Sequence, residues 1–153
     1  GIKMASRGVA LIDATTGSLL MEQANGPFLA ATITGINLKS TGATTVWTVP
    51  SIGGSAAFWP TCMLLYCTAS TSVTVVPTVR AGVSTSLTSL AAARSLTGFN
   101  SVGQYVDLME GTGTTPAVKS GCPQGSIIQI SVTVGATATT MDGGVSLFGY
   151  FIG

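Results

Sequence analysis

Ile127-Ile128-Gln129-Ile130-Ser131-Val132-Thr133-Val134, residues 127–134, carries the clearest structural signal in the chain. Successive side chains of an extended strand point to opposite faces, so Ile128, Ile130, Val132 and Val134 share one face. Gln129, Ser131 and Thr133 occupy the other. The residues are mostly β-branched, which stiffens χ1 and suits a pleated surface. Strict alternation of this kind predicts a β-strand from Ser126 to Val134.

The rest of the chain repeats this signal with variations. Strands are expected at Ala31 to Lys39, Gln104 to Met109 and Val145 to Ile152. Thr44 to Val49 alternates and is stopped by Pro50. Cys62 to Thr68 is almost continuously apolar, as expected of a central strand buried on both faces. Ser72 to Val79 is rich in Val and Thr, and Pro77 within it argues for an edge position or a bulge. Ser89 to Leu96 is ambiguous, because Leu90-Ala91-Ala92-Ala93-Arg94 also suits a short helix. Strands near ten-residue spacing, separated by Gly, Pro, Ser and Thr, predict an all-β protein. The expected architecture is an antiparallel β-sandwich or jelly roll of about eight strands. The 153 residues suit one domain of that kind.

Ahead of this body, residues 31–153, lies an expected extended N-terminal arm, residues 1–30. It holds two apolar pieces, Val9-Ala10-Leu11-Ile12 and Leu19-Leu20-Met21, separated by Asp13 to Gly17 and closed by Asn25-Gly26-Pro27. Such a segment is too small to fold alone. Val9, Leu11, Ile12, Leu19, Leu20, Met21 and Phe28 are therefore candidate interface residues, resting on the body or on a neighbouring subunit. Trp59, in Phe58-Trp59-Pro60, is a further candidate, since Trp is enriched at interface hot spots. A core position at the start of a strand is the alternative for it.

Composition narrows the function. Hydrophobic residues make up 46% of the chain and charged residues 7%, against about a quarter charged in an ordinary soluble domain. A surface so poor in charge is expected where other chains cover it. The basic residues Lys3, Arg7, Lys39, Arg80, Arg94 and Lys119 are scattered, and the net charge is +1. Nucleic-acid affinity needs clustered Lys and Arg, so no nucleic acid is expected as a partner. The apolar run Cys62 to Cys67 is far shorter than the ~20 residues that span a bilayer, so no membrane contact is expected. The first residues lack a signal-peptide apolar block, and Ala5 breaks a myristoylation pattern. A soluble chain is the expectation.

Catalytic chemistry is scarce. The chain has no histidine, which removes the commonest general base and zinc ligand. Asp107 and Glu110 are the one close pair of acids, and on one strand their spacing puts them on opposite faces. They read as solvated charges at a strand end. Gly111 to Thr115 lacks the endings of a dinucleotide loop or a P-loop. No enzyme activity, cofactor or metal is expected. Cys62 and Cys67, five residues apart, would lie ~17 Å apart on opposite faces of one strand. All three cysteines read as reduced core or interface residues, with an intersubunit disulfide through Cys122 as the alternative.

Several stretches carry a resemblance. Ile33-Thr34-Gly35-Ile36-Asn37-Leu38-Lys39-Ser40-Thr41-Gly42 leads into Thr44-Thr45-Val46-Trp47-Thr48-Val49-Pro50. Later come Leu96-Thr97-Gly98, Val102-Gly103-Gln104 and the closing Val145-Ser146-Leu147-Phe148-Gly149-Tyr150. Together they resemble the small trimeric β-sandwich structural proteins of tailed bacteriophages, capsid cement (decoration) proteins among them. The resemblance implies a homotrimer on the outer surface of the virion capsid, with the major capsid protein as partner and no catalytic residues. A receptor-binding or fibre-tip domain of a phage tail is the alternative it leaves open.

Overall fold

The structure, a computed structural model, describes residues 27–110 and 120–153. Its strands are β1 (Phe28–Asn37), β2 (Gly42–Thr48), β3 (Ala57–Thr71), β4 (Thr78–Val83), β5 (Ser86–Ser95), β6 (Tyr105–Asp107), β7 (Ile127–Val134) and β8 (Thr140–Ile152). They form two four-stranded antiparallel sheets, ordered β1-β8-β3-β6 and β2-β7-β4-β5. Every connection crosses from one sheet to the other except the β4–β5 hairpin. That alternation, with first and last strands paired, is the winding of a jelly roll.

β7 forms where the alternation predicts it. Ile128, Ile130 and Val132 are buried in the core, while Val134 at the strand end is exposed. The long run around Cys62 extends in both directions to make the fifteen-residue β3. Pro60 lies inside it where the register against β8 shifts between Pro60 and Cys62, a place that tolerates a residue without an N–H.

Four expectations change. β1 starts at Phe28, so the last residues assigned to the arm belong to the sandwich. Residues 1–26 lie outside the described residues. Residues 86–95 form strand β5, and the helical propensity of Leu90 to Arg94 is overridden by pairing with β4 and burial of Leu90 and Ala91. The Val/Thr stretch is no edge strand, since Pro77 precedes β4, an interior strand between β7 and β5, but the alternative of a bulge holds: the register of β4 against β7 shifts between Thr78 and Val79. Val75 makes only an isolated bridge, to Thr137. β6 is reduced to Tyr105–Asp107, because the chain turns at Asp107.

The core lies between the sheets. One side supplies Met63, Leu65, Met141, Val145 and Leu147, the other Val46, Val79, Leu90, Ile128 and Ile130. At one end Phe58 is fully buried among three rings, with centroids at 5.9 Å for Phe28, 4.8 Å for Trp47 and 5.7 Å for Phe151. All three meet it edge to face, the arrangement that aromatic quadrupoles favour.

Candidate functional site

The two outer faces of the sandwich differ in chemistry. On the β2-β7-β4-β5 sheet the outward side chains include Thr45, Gln129, Arg80, Ser131 and Thr133. Gln129 donates from Nε2 to Thr45 Oγ1 at 3.2 Å, and Arg80 Nε donates to Ser131 Oγ at 3.3 Å. Thr133 donates to the carbonyl of Thr78 at 3.3 Å. This face is polar, with its groups linked across strands and Ser131 itself buried.

The outer face of the β1-β8-β3-β6 sheet is largely apolar, with the hydroxyls of Thr32 on β1 and Ser146 on β8 hydrogen-bonded to each other within it at 3.2 Å. Met141, Val145, Leu147 and Phe151 of β8 point inward, which leaves Gly144, Ser146, Phe148, Tyr150 and Ile152 outward. On β3, Met63, Leu65 and Cys67 are buried, and the alternate residues Cys62, Leu64 and Tyr66 are half-buried on the outside. The register sets Trp59 beside Tyr150 and Cys62 beside Phe148, with Tyr66 beside Gly144. Leu29 of β1 stands next to Phe148, and Tyr105 of β6 next to Tyr66. These contacts make one continuous surface across four strands. Tyr105 is 72% exposed, Leu29 54%, Ile152 46% and Tyr150 40%. Asp107 and Asp142 stand at its margins, opposite Leu64 and Ala69.

Two glycines let the rings lie flat on this face. The Tyr66 ring covers Gly144, where a Cβ would come within 2.6 Å of it. The Trp59 indole covers Gly121, where a Cβ would come within 2.9 Å. Trp59 is accordingly half-buried and belongs to this face rather than to the core.

At the sandwich edge a cleft of about 660 Å³ opens between β5 and β6, lined by Arg94, Leu96, Phe99, Gln104, Tyr105 and Glu110 among others. Arg94 spans the two sheets there, donating to the carbonyl of Asp107 at 3.1 Å and of Glu110 at 3.3 Å. Gln104 turns inward to its own loop, its Oε1 accepting the N–H of Asn100 and of Ser101 at 2.7 and 2.8 Å.

The acids do not act as solvated strand-end charges together. Glu110 is exposed in the turn after β6, but Asp107 is half-buried and structural. Its Oδ1 accepts the N–H of Met63 at 3.1 Å and of Met109 at 2.9 Å. Among the described residues no group of three His, Cys, Asp or Glu side chains is placed to hold a metal ion. Cys122 is buried, and burial pushes its thiol up to about 11. No disulfide joins the three cysteines.

Of the candidate interface residues, Val9, Leu11, Ile12, Leu19, Leu20 and Met21 lie outside the described residues. Phe28 stands in β1 opposite Gly149 and packs on Phe58 and Phe151 at the end of the core, 43% exposed. Only Trp59 lies on the apolar face. Sequence reasoning does not identify Leu29, Leu64, Tyr66, Tyr105, Phe148, Tyr150 and Ile152 as residues of this face, whereas Cys62 stands among its core or interface cysteines. The available signal is the unbroken apolar run of β3, which by itself implies burial on both faces.

Fold and surface thus define an all-β jelly-roll sandwich with one polar and one largely apolar outer face. Comparison with known proteins finds no matching family model, no similar curated protein and no similar solved structure.

Proposed function

We propose that this chain is a structural virion protein of the capsid cement type: a homotrimer that binds the outer surface of a phage capsid and stabilises the shell by bridging capsomers. The observation that carries this reading is the inequality of the two outer faces. A sandwich with one polar face and one aromatic, nearly uncharged face is built to work by being covered. A shell protein acts through many such contacts at once, and multivalency makes each one sufficient at modest strength. In this reading the arm contacts the major capsid protein or a neighbouring subunit.

The test is the copy number of the chain in purified particles, measured by quantitative mass spectrometry against the major capsid protein. Hundreds of copies in simple proportion to that protein are expected. A handful would move the chain to the tail, and absence from particles would overturn the virion role.

A second reading, a receptor-binding or fibre-tip domain, is favoured by the edge cleft. Its volume lies in the range of ligand sites, and Tyr105 stands exposed at its rim. Glycan-array binding that is lost in Tyr105→Ala would select this reading.

A further inference from the structure

We infer that the cleft between β5 and β6 is a binding site for a neutral sugar ring, whose hydroxyls are held by the side-chain amide of Gln104 and the main chain of Tyr105. The inference rests on the receptor-binding reading, and it names the ligand class and the groups that select it.

The cleft has an apolar floor and polar walls. Leu96 and Phe99 are buried in it, while Thr97, Gln104 and Tyr105 are exposed around it. Its volume of about 660 Å³ lies within the ~300–1,000 Å³ of small-molecule sites. Gln104 is held in one orientation. Its Oε1 accepts the N–H groups of both Asn100 and Ser101, and two donors at one end settle which end of the amide is oxygen. The Nε2 end, with two N–H donors, is thereby turned away from that loop, and it meets no acceptor among the described residues.

Strand β6 adds main-chain groups. The carbonyl of Gln104 accepts the N–H of Cys67, and the N–H of Leu108 donates to Met63, both on β3. Hydrogen bonding alternates along an antiparallel strand, so the N–H and C=O of Tyr105 point the other way, to the open edge where the cleft lies. The carbonyl of Asp107 points to the same side, and there it accepts Nη2 of Arg94 at 3.1 Å.

This set of groups selects a neutral, hydroxyl-bearing ligand. The amide and main-chain N–H groups donate, and the Tyr105 carbonyl beside them accepts. A hydroxyl does both, so a ring of hydroxyls satisfies the two kinds together. The positive charge of Arg94 is offset by the carboxylate of Glu110 on the same wall, so a charged ligand of either sign meets a like charge. At the rim the Tyr105 side chain, 72% exposed, supplies an apolar plane for the C–H face of a sugar and a hydroxyl at its tip.

Proton–nitrogen NMR titration of the full chain with methyl glucoside, methyl galactoside, methyl mannoside and methyl glucuronide tests this. At least one neutral glycoside is expected to shift both the Gln104 side-chain amide pair and the Tyr105 main-chain amide, and to bind more tightly than the glucuronide. Gln104→Glu keeps an oxygen on the N–H groups of Asn100 and Ser101 but removes the two donors. It should weaken binding about tenfold while the Asn100 and Ser101 amide signals stay in place. Tyr105→Phe keeps the ring and the main chain and should change affinity by no more than about threefold. Titrations in which no glycoside moves either signal would overturn the site, and tightest binding by the glucuronide would overturn the neutral ligand. Glycan-array binding that survives Gln104→Glu and leaves the cleft signals unmoved would overturn this assignment and leave the receptor-binding reading standing. A chain that binds neither the array nor the glycosides would overturn both.

Discussion

Asp107 on β6 accepts the backbone N–H of Met63 on β3 through Oδ1, at 3.1 Å, and so ties the shortest strand of the sandwich to one of its longest. The same oxygen accepts the N–H of Met109 at 2.9 Å and turns the chain out of the sheet. Hydrogen bonds to a charged acceptor contribute more than neutral ones, and losing the acceptor strands two donors. Asp107→Ala should therefore cost about 2–4 kcal/mol in urea or guanidinium unfolding. Asp107→Asn keeps an oxygen in place and should cost about half as much.

Gln124 organises the loop between β2 and β3. Its Oε1 accepts the N–H of Ile52 at 2.9 Å, and its Nε2 donates to the carbonyls of Gly53 at 2.9 Å and Ala56 at 3.0 Å. Gln124→Ala should lower stability by only about 1–2 kcal/mol, since the loop is largely open to water. Hydrogen exchange is the sharper measurement. The Ile52 amide should exchange much faster in the variant, while those of β7 change little.

Cys122 gives a pH dependence of known sign. Its thiol is held neutral by burial, with the pKa raised from about 9 to about 11. Below pH 9 the thiol is neutral folded or unfolded, and its contribution is fully present. Between pH 9 and 11 the unfolded chain loses this proton and the folded chain keeps it, so stability falls as pH rises. The loss should be roughly 2 kcal/mol or less and should level off above pH 11. The measurement is the difference between wild type and Cys122→Ala across that window.

Gly149 faces the interior of β8 beside Phe58 and the carbonyl of Trp59. A Cβ there would collide with both, and the carbonyl, being backbone, cannot swing away. Gly149→Ala should cost roughly 2–3 kcal/mol, as overpacked core sites do. Gly144→Ala meets the far end of the Tyr66 ring instead, and should change the unfolding midpoint little while lifting that ring from the face.

How far the sequence predicts the structure depends on what each strand buries. β7 is legible as a strand with Ile128, Ile130 and Val132 on its core side, whereas the exposure of Val134 and the burial of Ser131 are not legible in the alternation. β5 was not, because Leu90 to Arg94 satisfies helical propensity as well as strand propensity, and only the pairing with β4 decides. The apolar face was half legible. Periodicity identifies burial on two sides, but it cannot say whether the second cover comes from the same chain. Tyr105 and Leu29 were invisible to it, since each becomes part of the face only by its register against Tyr66 and Phe148. Asp107 is not legible as a structural acid because one of its two acceptor contacts, to the N–H of Met63, crosses to a strand far away in sequence.

The pairing of Phe28 with Gly149 sets the beginning of β1 and the close of β8 side by side. Ile152 lies only three residues beyond that pair, so about 10 Å separates it from Phe28 along the strand direction. A linker of a few residues would join the two without crossing any strand. The sandwich is then compatible with circular permutation, with new ends opened at the Ser84-Thr85 hairpin tip. Cargo fused ahead of β1 and behind β8 would leave from the same pole, which suits the fold to carrying two attachments next to each other.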